Sequence, residues 1–269
     1  MSSRTFLDRV HVRVLPRTYV EIGIYHGKSL EMALPGTRIV GIDPDFDIRA
    51  RIDRSAKLFR CTSDHFFSAY DLSEELGSPV DLAFIDGMHL FEFALRDFIN
   101  IERHAHSASL VLIDDCIPPT ERAANRERIG SGAWCGDVWK LPLALREYRP
   151  DLDLTIFEAS GTTIVRGLDP SSTVLTECYE ELLERYTPLD YGYFKTLDHP
   201  TVPWHPEDPT ALDRALPTSP FRHDDPDVLR RARSRQLPTL RMAKGIVKDR
   251  VVESKAIRRC LGVVSRIRP

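Results

Sequence analysis

From Tyr19 onward, short apolar runs alternate with longer amphipathic stretches. TYVEIGI, TRIVGID, KLFRCTS, VDLAFID and SLVLIDD have the length and near-continuous apolar character of strands buried on both faces. The segments between them, KSLEMAL, IRARIDRSAK, HFFSAYDLSEEL and FEFALRDFINIERH, read as helices. Four strand–helix pairs followed by a fifth strand predict a doubly wound, mostly parallel α/β sheet with right-handed crossovers. A loop, PPTERAANRERIGSGAW, then leads to a helix, DVWKLPLALREY. The next stretch, DLDLTIFEASGTTIVRGL, is two apolar runs split by Ser160-Gly161, the mark of an antiparallel hairpin closing the sheet.

Beyond Leu168 the character changes. A helix is expected at TVLTECYEELLERY, then a proline-rich linker or lid at HPTVPWHPEDPTALDRALPTSP. These boundaries divide the chain into a ligand-binding domain at 1–170, a helix and linker at 171–225, and a helical tail at 226–269. Within the tail, residues 230–269 hold 13 Lys and Arg against Asp249 and Glu253, about +11, which leaves about -14 for the rest. Apolar residues at Met242, Ile246, Val247, Val251, Ile257, Leu261 and Val264 make it an amphipathic helix. It would lie on an anionic membrane, dock on a partner enzyme, or pack back on the acidic remainder of the chain.

Composition changes this picture little. At 269 residues, 42% hydrophobic and 29% charged, with a net charge of -3, the chain is ordinary for a globular protein. It does not resemble a nucleic-acid binder, and the tail lacks the aromatic interleaving that single strands need. No secretory signal or membrane-length apolar run is visible. Five scattered cysteines without a C-x-x-C pair fit reduced thiols, a cytoplasmic setting and no structural zinc site.

VEIGIYHGKSLEMAL, residues 20–34, looks like a phosphate-binding loop because Gly27-Lys28-Ser29 closes it as a Walker A loop would. That loop requires four residues between its glycines, and Gly23 and Gly27 have three. Glu21 would also repel a phosphate. What remains is a tight turn in which Gly23 and Gly27 let a ligand approach the backbone. The next strand ends in Asp43, an acid placed where α/β folds hold ribose hydroxyls. A ribose acceptor without a phosphate cradle suits S-adenosylmethionine.

The pattern E-x-G-x-x-x-G-x-S followed by G-I-D, over roughly residues 17–168, resembles class I S-adenosylmethionine-dependent methyltransferases. The resemblance implies a seven-stranded Rossmann-like sheet ending in an antiparallel hairpin. It implies a cofactor site of Glu21, Gly23, Gly27, Ser29, Asp43, Ser63 and Asp64. In it the glycines approach the methionine part, Asp43 binds the ribose and Ser63-Asp64 lie near the adenine. A plainer reading is that the glycines only shape a turn and Asp43 caps a helix.

The fourth and fifth strands end in VDLAFIDGMH and SLVLIDDC, bringing Asp86, His89, Asp114 and Asp115 to one edge of the sheet. Carboxylates converging there would repel one another unless a cation neutralised them, and hard oxygen donors favour Mg²⁺ or Mn²⁺. The set resembles the metal-dependent sugar O-methyltransferases of macrolide pathways and the cephalosporin-hydroxylase-like group. By that resemblance Asp86, Asp114 and Asp115 hold the metal, Asp86 and His89 carry the catalytic roles, and His89 is the general base. Asp-Gly as a turn and Asp-Asp as a cap are the simpler alternatives. His65 takes no assigned role. WCGDVWK, residues 134–140, would wall an acceptor site with aromatic rings or anchor a helix.

The expected activity is methyl transfer to a hydroxyl of a small-molecule or oligosaccharide acceptor, in the cytoplasm or peripheral to a membrane, by a chain free to form homo-oligomers. A nicotinamide-dependent oxidoreductase would share Asp43, but the third glycine of its G-x-G-x-x-G motif is missing. A nucleoside-triphosphate hydrolase meets the wrong loop length. A non-catalytic scaffold on the same fold stays open.

Overall fold

The computed structural model describes residues 3–198, 201–202, 210–216, 221, 226–230, 232 and 234. Among the described residues, eight strands form one sheet: β1 (Thr18–Ile22), β2 (Arg38–Ile42), β3 (Lys57–Phe59), β4 (Leu82–Ile85), β5 (Leu110–Ile113), β6 (Asp153–Phe157), β7 (Thr162–Arg166) and β8 (Thr201–Val202). Their order is β3-β2-β1-β4-β5-β7-β6-β8. The first five strands run parallel, and β7 is antiparallel to both β5 and β6. The seven expected strands and the closing hairpin are therefore present, with two residues of β8 added parallel to β6.

Strand periodicity divides the core into two layers. Val20, Ile22, Val40, Ile42, Ala83, Ile85, Val111 and Ile113 face one side. There they meet α2 (Ser63–Ala69), α3 (Leu72–Leu76), α4 (Phe91–Arg103), α5 (Lys140–Tyr148) and α7 (Tyr179–Tyr186) through Phe66, Leu72, Phe98, Leu145 and Leu182. Tyr19, Ile39, Leu82, Phe84, Leu110 and Leu112 face the other side. That face is covered by α1 (Ser3–Val14), through Phe6, Leu7, Val10 and Val14, and by α9 (Thr210–Ala215). The chain turns outward in opposite directions from β1 and β4, so the loops after these two strands form the crevice where such sheets place ligands.

Several expected helices differ. KSLEMAL forms only a 3₁₀ turn at Leu30–Met32, because the Gly23–Gly27 turn and Pro35-Gly36 leave little chain between β1 and β2. IRARIDRSAK is irregular. Its Arg49 and Ala50 amides donate to the His26 carbonyl, and Asp53 turns the chain by accepting from Ser55 N at 2.9 Å. These local bonds replace a helical ladder. HFFSAYDLSEEL is two helices, because Thr62 caps α2 and Asp71 caps α3 by accepting from Glu74 N at 2.9 Å. The helix expected at 173–186 breaks at Cys178 into α6 (Val174–Glu177) and α7. Most of the proline-rich stretch, and residues 230–269 apart from 230, 232 and 234, lie outside the described residues. None of the described helices is long and apolar enough to cross a membrane.

Candidate active site

The turn after β1 is built around a buried acid. Glu21 accepts from the Tyr19 hydroxyl at 2.7 Å and from the Ser29 hydroxyl, so each carboxylate oxygen has a donor. Burial pushes its carboxyl up to about 8, a rise that the Ser29 and Tyr19 bonds oppose and the nearby Asp43 charge reinforces. A carboxyl with a folded pKa above its unfolded value is most compatible with folding below the unfolded pKa. That contribution is lost as pH rises through about 8. Glu21→Gln is therefore expected to flatten the fall in stability between about pH 4.5 and 8, which urea midpoints across that range will show.

Gly23 and Gly27 have positive φ, +89° and +72°. A Cβ on Gly23 would lie 1.9 Å from the Asp86 carbonyl oxygen, so the β1 turn crosses the chain leaving β4 at contact distance. A Cβ on Gly27 would meet Ile48 Cδ1 at 3.1 Å. Asp43, at the tip of β2, accepts from Tyr25 N at 2.8 Å and from Asp45 N at 2.7 Å. No helix follows it, so it is not a helix cap. The two amides orient a half-buried carboxylate that keeps lone pairs for a ligand. Tyr25 itself has φ +41° and a largely exposed ring. The expected adenine-side pair is engaged within the protein. Asp64 forms a two-pronged ion pair with Arg96, both contacts at 2.8 Å, and the Ser63 hydroxyl donates to Asp97.

At the ends of β4 and β5, Asp86, His89 and Asp115 each place a ligand atom within 4.8 Å of the others. His89 Nδ1 is 2.5 Å from Asp115 Oδ2, and His89 Nε2 is 3.9 Å from Asp86 Oδ1. Both His89 (φ +57°) and Asp115 (φ +60°) hold left-handed backbone conformations that non-glycine residues seldom adopt. Strain of this kind concentrates at functional sites. Asp86 keeps an edge open to solvent, yet loss of water and the charges of Asp114, Asp115 and Glu21 raise its carboxyl well above the ordinary range. Asp114 points deeper, accepting from Thr162 Oγ1 at 2.9 Å, and falls outside the three-residue group. The donor set, oxygen-rich with one imidazole and mutually repelling, fits a hard divalent cation.

The segment 118–139 closes one side. A Cβ on Gly136 would lie 1.7 Å from the His89 carbonyl oxygen, and Asp137 N donates to that same oxygen at 3.2 Å. The buried Asp137 carboxylate accepts from Phe91 N, Arg126 and Lys140, while Arg126 also grips Glu92. The Trp134 ring sits 5.1 Å from the His89 ring, its Nε1 donating to the Asn125 carbonyl at 2.7 Å. Within WCGDVWK, Trp134 therefore borders the site, whereas Trp139 is buried and packs on Phe194 of α8 (Tyr191–Thr196). Sequence reasoning missed the Asp137–Arg126–Glu92 clip, because no short spacing links two positions of an irregular segment to the first turn of α4. It also missed Asp97, which reads as one more polar position on an amphipathic helix.

A five-stranded parallel half, a closing antiparallel hairpin, and acids at the tips of β2, β4 and β5 make this a doubly wound α/β sheet with its candidate site at the strand ends. Residues 20–116, from β1 through β5, match the family model described as a methyltransferase domain. No curated protein matches the chain. Among solved structures it is similar to cofactor-bound Rv0187 from MTB (18% identity, 62% of this chain, 80% of that one, TM-score 0.48). It is also similar to the O-methyltransferase TomG from Streptomyces achromogenes in complex with SAM (16%, 62% and 80%, 0.43). MycE from the mycinamycin biosynthetic pathway, in complex with Mg, SAH and mycinamycin VI, aligns over half its length (15%, 62% and 50%, 0.44).

Proposed function

We propose that the chain is a metal-dependent O-methyltransferase that moves the methyl group of S-adenosylmethionine to a hydroxyl of a small molecule, a sugar or glycoside. The meeting of Asp86, His89 and Asp115 beside the Gly23 turn carries this reading. Asp43 and the β1 turn would hold the nucleoside and methionine parts. Asp86 and Asp115, with Asp114 alongside, would hold Mg²⁺ or Mn²⁺. A divalent cation there supplies Lewis-acid polarisation of acceptor oxygens. Asp115 fixes His89 through Nδ1, leaving Nε2 to take the acceptor proton as the C–O bond forms and the C–S bond breaks. The Trp134 face beside His89 suits the apolar face of a sugar ring.

Calorimetry of the full chain with S-adenosylhomocysteine, NAD and Mg-ATP tests the cofactor. Heat from the first alone supports the reading, whereas binding only of NAD or Mg-ATP overturns it. For the metal, Asp86→Asn is expected to weaken Mn²⁺ binding by at least about 100-fold, the upper end of outer-shell losses. Chelation with EDTA should stop methyl transfer and leave S-adenosylhomocysteine binding intact. Undiminished transfer in EDTA counts against the metal.

A further inference from the structure

The acid cluster and Asp97 share the wall of a cavity of about 10 Å³, lined by residues that include Asp86, Gly87, His89, Asp97, Asp114 and Asp115. That is about the space one water needs. Asp97, on α4, is 2% exposed, and its Oδ1 has no hydrogen-bond partner. Its other oxygen faces Gly87, where an added Cβ would approach Oδ2 to 3.6 Å, and the carboxylate accepts from the Ser63 hydroxyl. A buried polar atom without a partner is rare in a folded protein and normally marks an ordered water or a functional demand. Asp97 thus reaches from the wall at Ser63 to the loop that bears Asp86 and His89, without belonging to the three-residue group.

We infer that Asp97 is a positioning residue for the metal centre: its free oxygen accepts from one enclosed water, whose second hydrogen goes to Asp86 and aims that carboxylate at the cation. The inference rests on the metal-dependent reading above. A water donating to both carboxylates satisfies the orphan oxygen and fixes which Asp86 lone pairs face outward. Outer-shell contacts of this kind typically change metal affinity by about 10- to 100-fold.

The test measures Mn²⁺ binding by electron paramagnetic resonance, and S-adenosylhomocysteine binding by calorimetry, on the full-length wild type, Asp97→Ala and Asp97→Asn. Asp97→Ala is expected to lose about 10- to 100-fold in Mn²⁺ affinity with S-adenosylhomocysteine binding retained. Asp97→Asn keeps a carbonyl oxygen to accept from the water and is expected to restore most of the affinity. A general folding defect would weaken both ligands in both variants, which overturns the positioning role. Wild-type Mn²⁺ affinity in Asp97→Ala overturns it too, as does a loss in Asp97→Asn equal to that in Asp97→Ala. Absence of Mn²⁺ binding by the wild type brings down the metal-dependent reading and this inference together. That outcome is distinct from a failure confined to the variants.

Discussion

Alanine in place of His89 is expected to lower kcat by about 10²- to 10⁴-fold, the range general-base catalysis supplies, with S-adenosylhomocysteine binding unchanged. The expectation follows from geometry. Asp115 Oδ2 lies 2.5 Å from Nδ1, so the imidazole is oriented by a carboxylate and its Nε2 is left toward the cluster edge near Asp86. The backbone at both residues is held left-handed to achieve this contact, and Gly136 and Asp137 brace the His89 carbonyl from the far side. Steady-state rates and Mn²⁺ titrations on His89→Ala and His89→Gln separate the roles. A base alone predicts lost kcat with retained metal affinity. If both variants turn over at the wild-type rate, His89 is not the base.

The strands were legible because burial on both faces demands continuous apolar runs. VDLAFID and SLVLIDD leave little choice, and their registers pair residue for residue in β4 and β5. The helices were less legible. Ile48 and Ile52 sit four apart as a helix would place them, yet the His26 carbonyl and the Asp53 turn draw off the amides that a helix needs. In the same way Asp71 offers a cap in the middle of HFFSAYDLSEEL and divides it. Helix α1 carries its signal at Phe6, Leu7, Val10 and Val14, but it lies before the first strand, outside the alternating pattern.

The acid cluster was legible for a topological reason. In a doubly wound sheet the tips of β4 and β5 are neighbours, so acids after each must meet. Which of them meet was not. Asp114 and Asp115 are adjacent in sequence and leave β5 in opposite senses, one toward Thr162 and the other, through a positive φ, toward His89. A one-dimensional pattern carries no record of such a backbone reversal at a non-glycine residue. Asp97 and Asp137 were hidden because their partners come from other elements, brought together only by the packing of α4 against the sheet and the 118–139 segment.

Gly23→Ala is expected to cost about 2–5 kcal/mol, combining overpacking with left-handed strain. Against a total stability of about 5–15 kcal/mol this is a large fraction. The added Cβ would lie 1.9 Å from the Asp86 carbonyl oxygen, which is backbone and cannot swing aside. Gly27→Ala provides the contrast, since its Cβ would meet only the end of the Ile48 side chain at 3.1 Å and should cost about 1–2 kcal/mol, mostly strain. The difference has a functional edge. Gly23 is where the turn expected to carry the nucleoside cofactor touches the strand end that carries Asp86, so displacement there moves both halves of the site at once. Urea unfolding with paired titrations of S-adenosylhomocysteine and Mn²⁺ should show both affinities falling in Gly23→Ala and largely surviving in Gly27→Ala. Should Gly23→Ala lose one ligand and keep the other, the two loops are independent and the crossing only fills space. A joint loss makes the glycine the joint through which cofactor and acceptor are held in line.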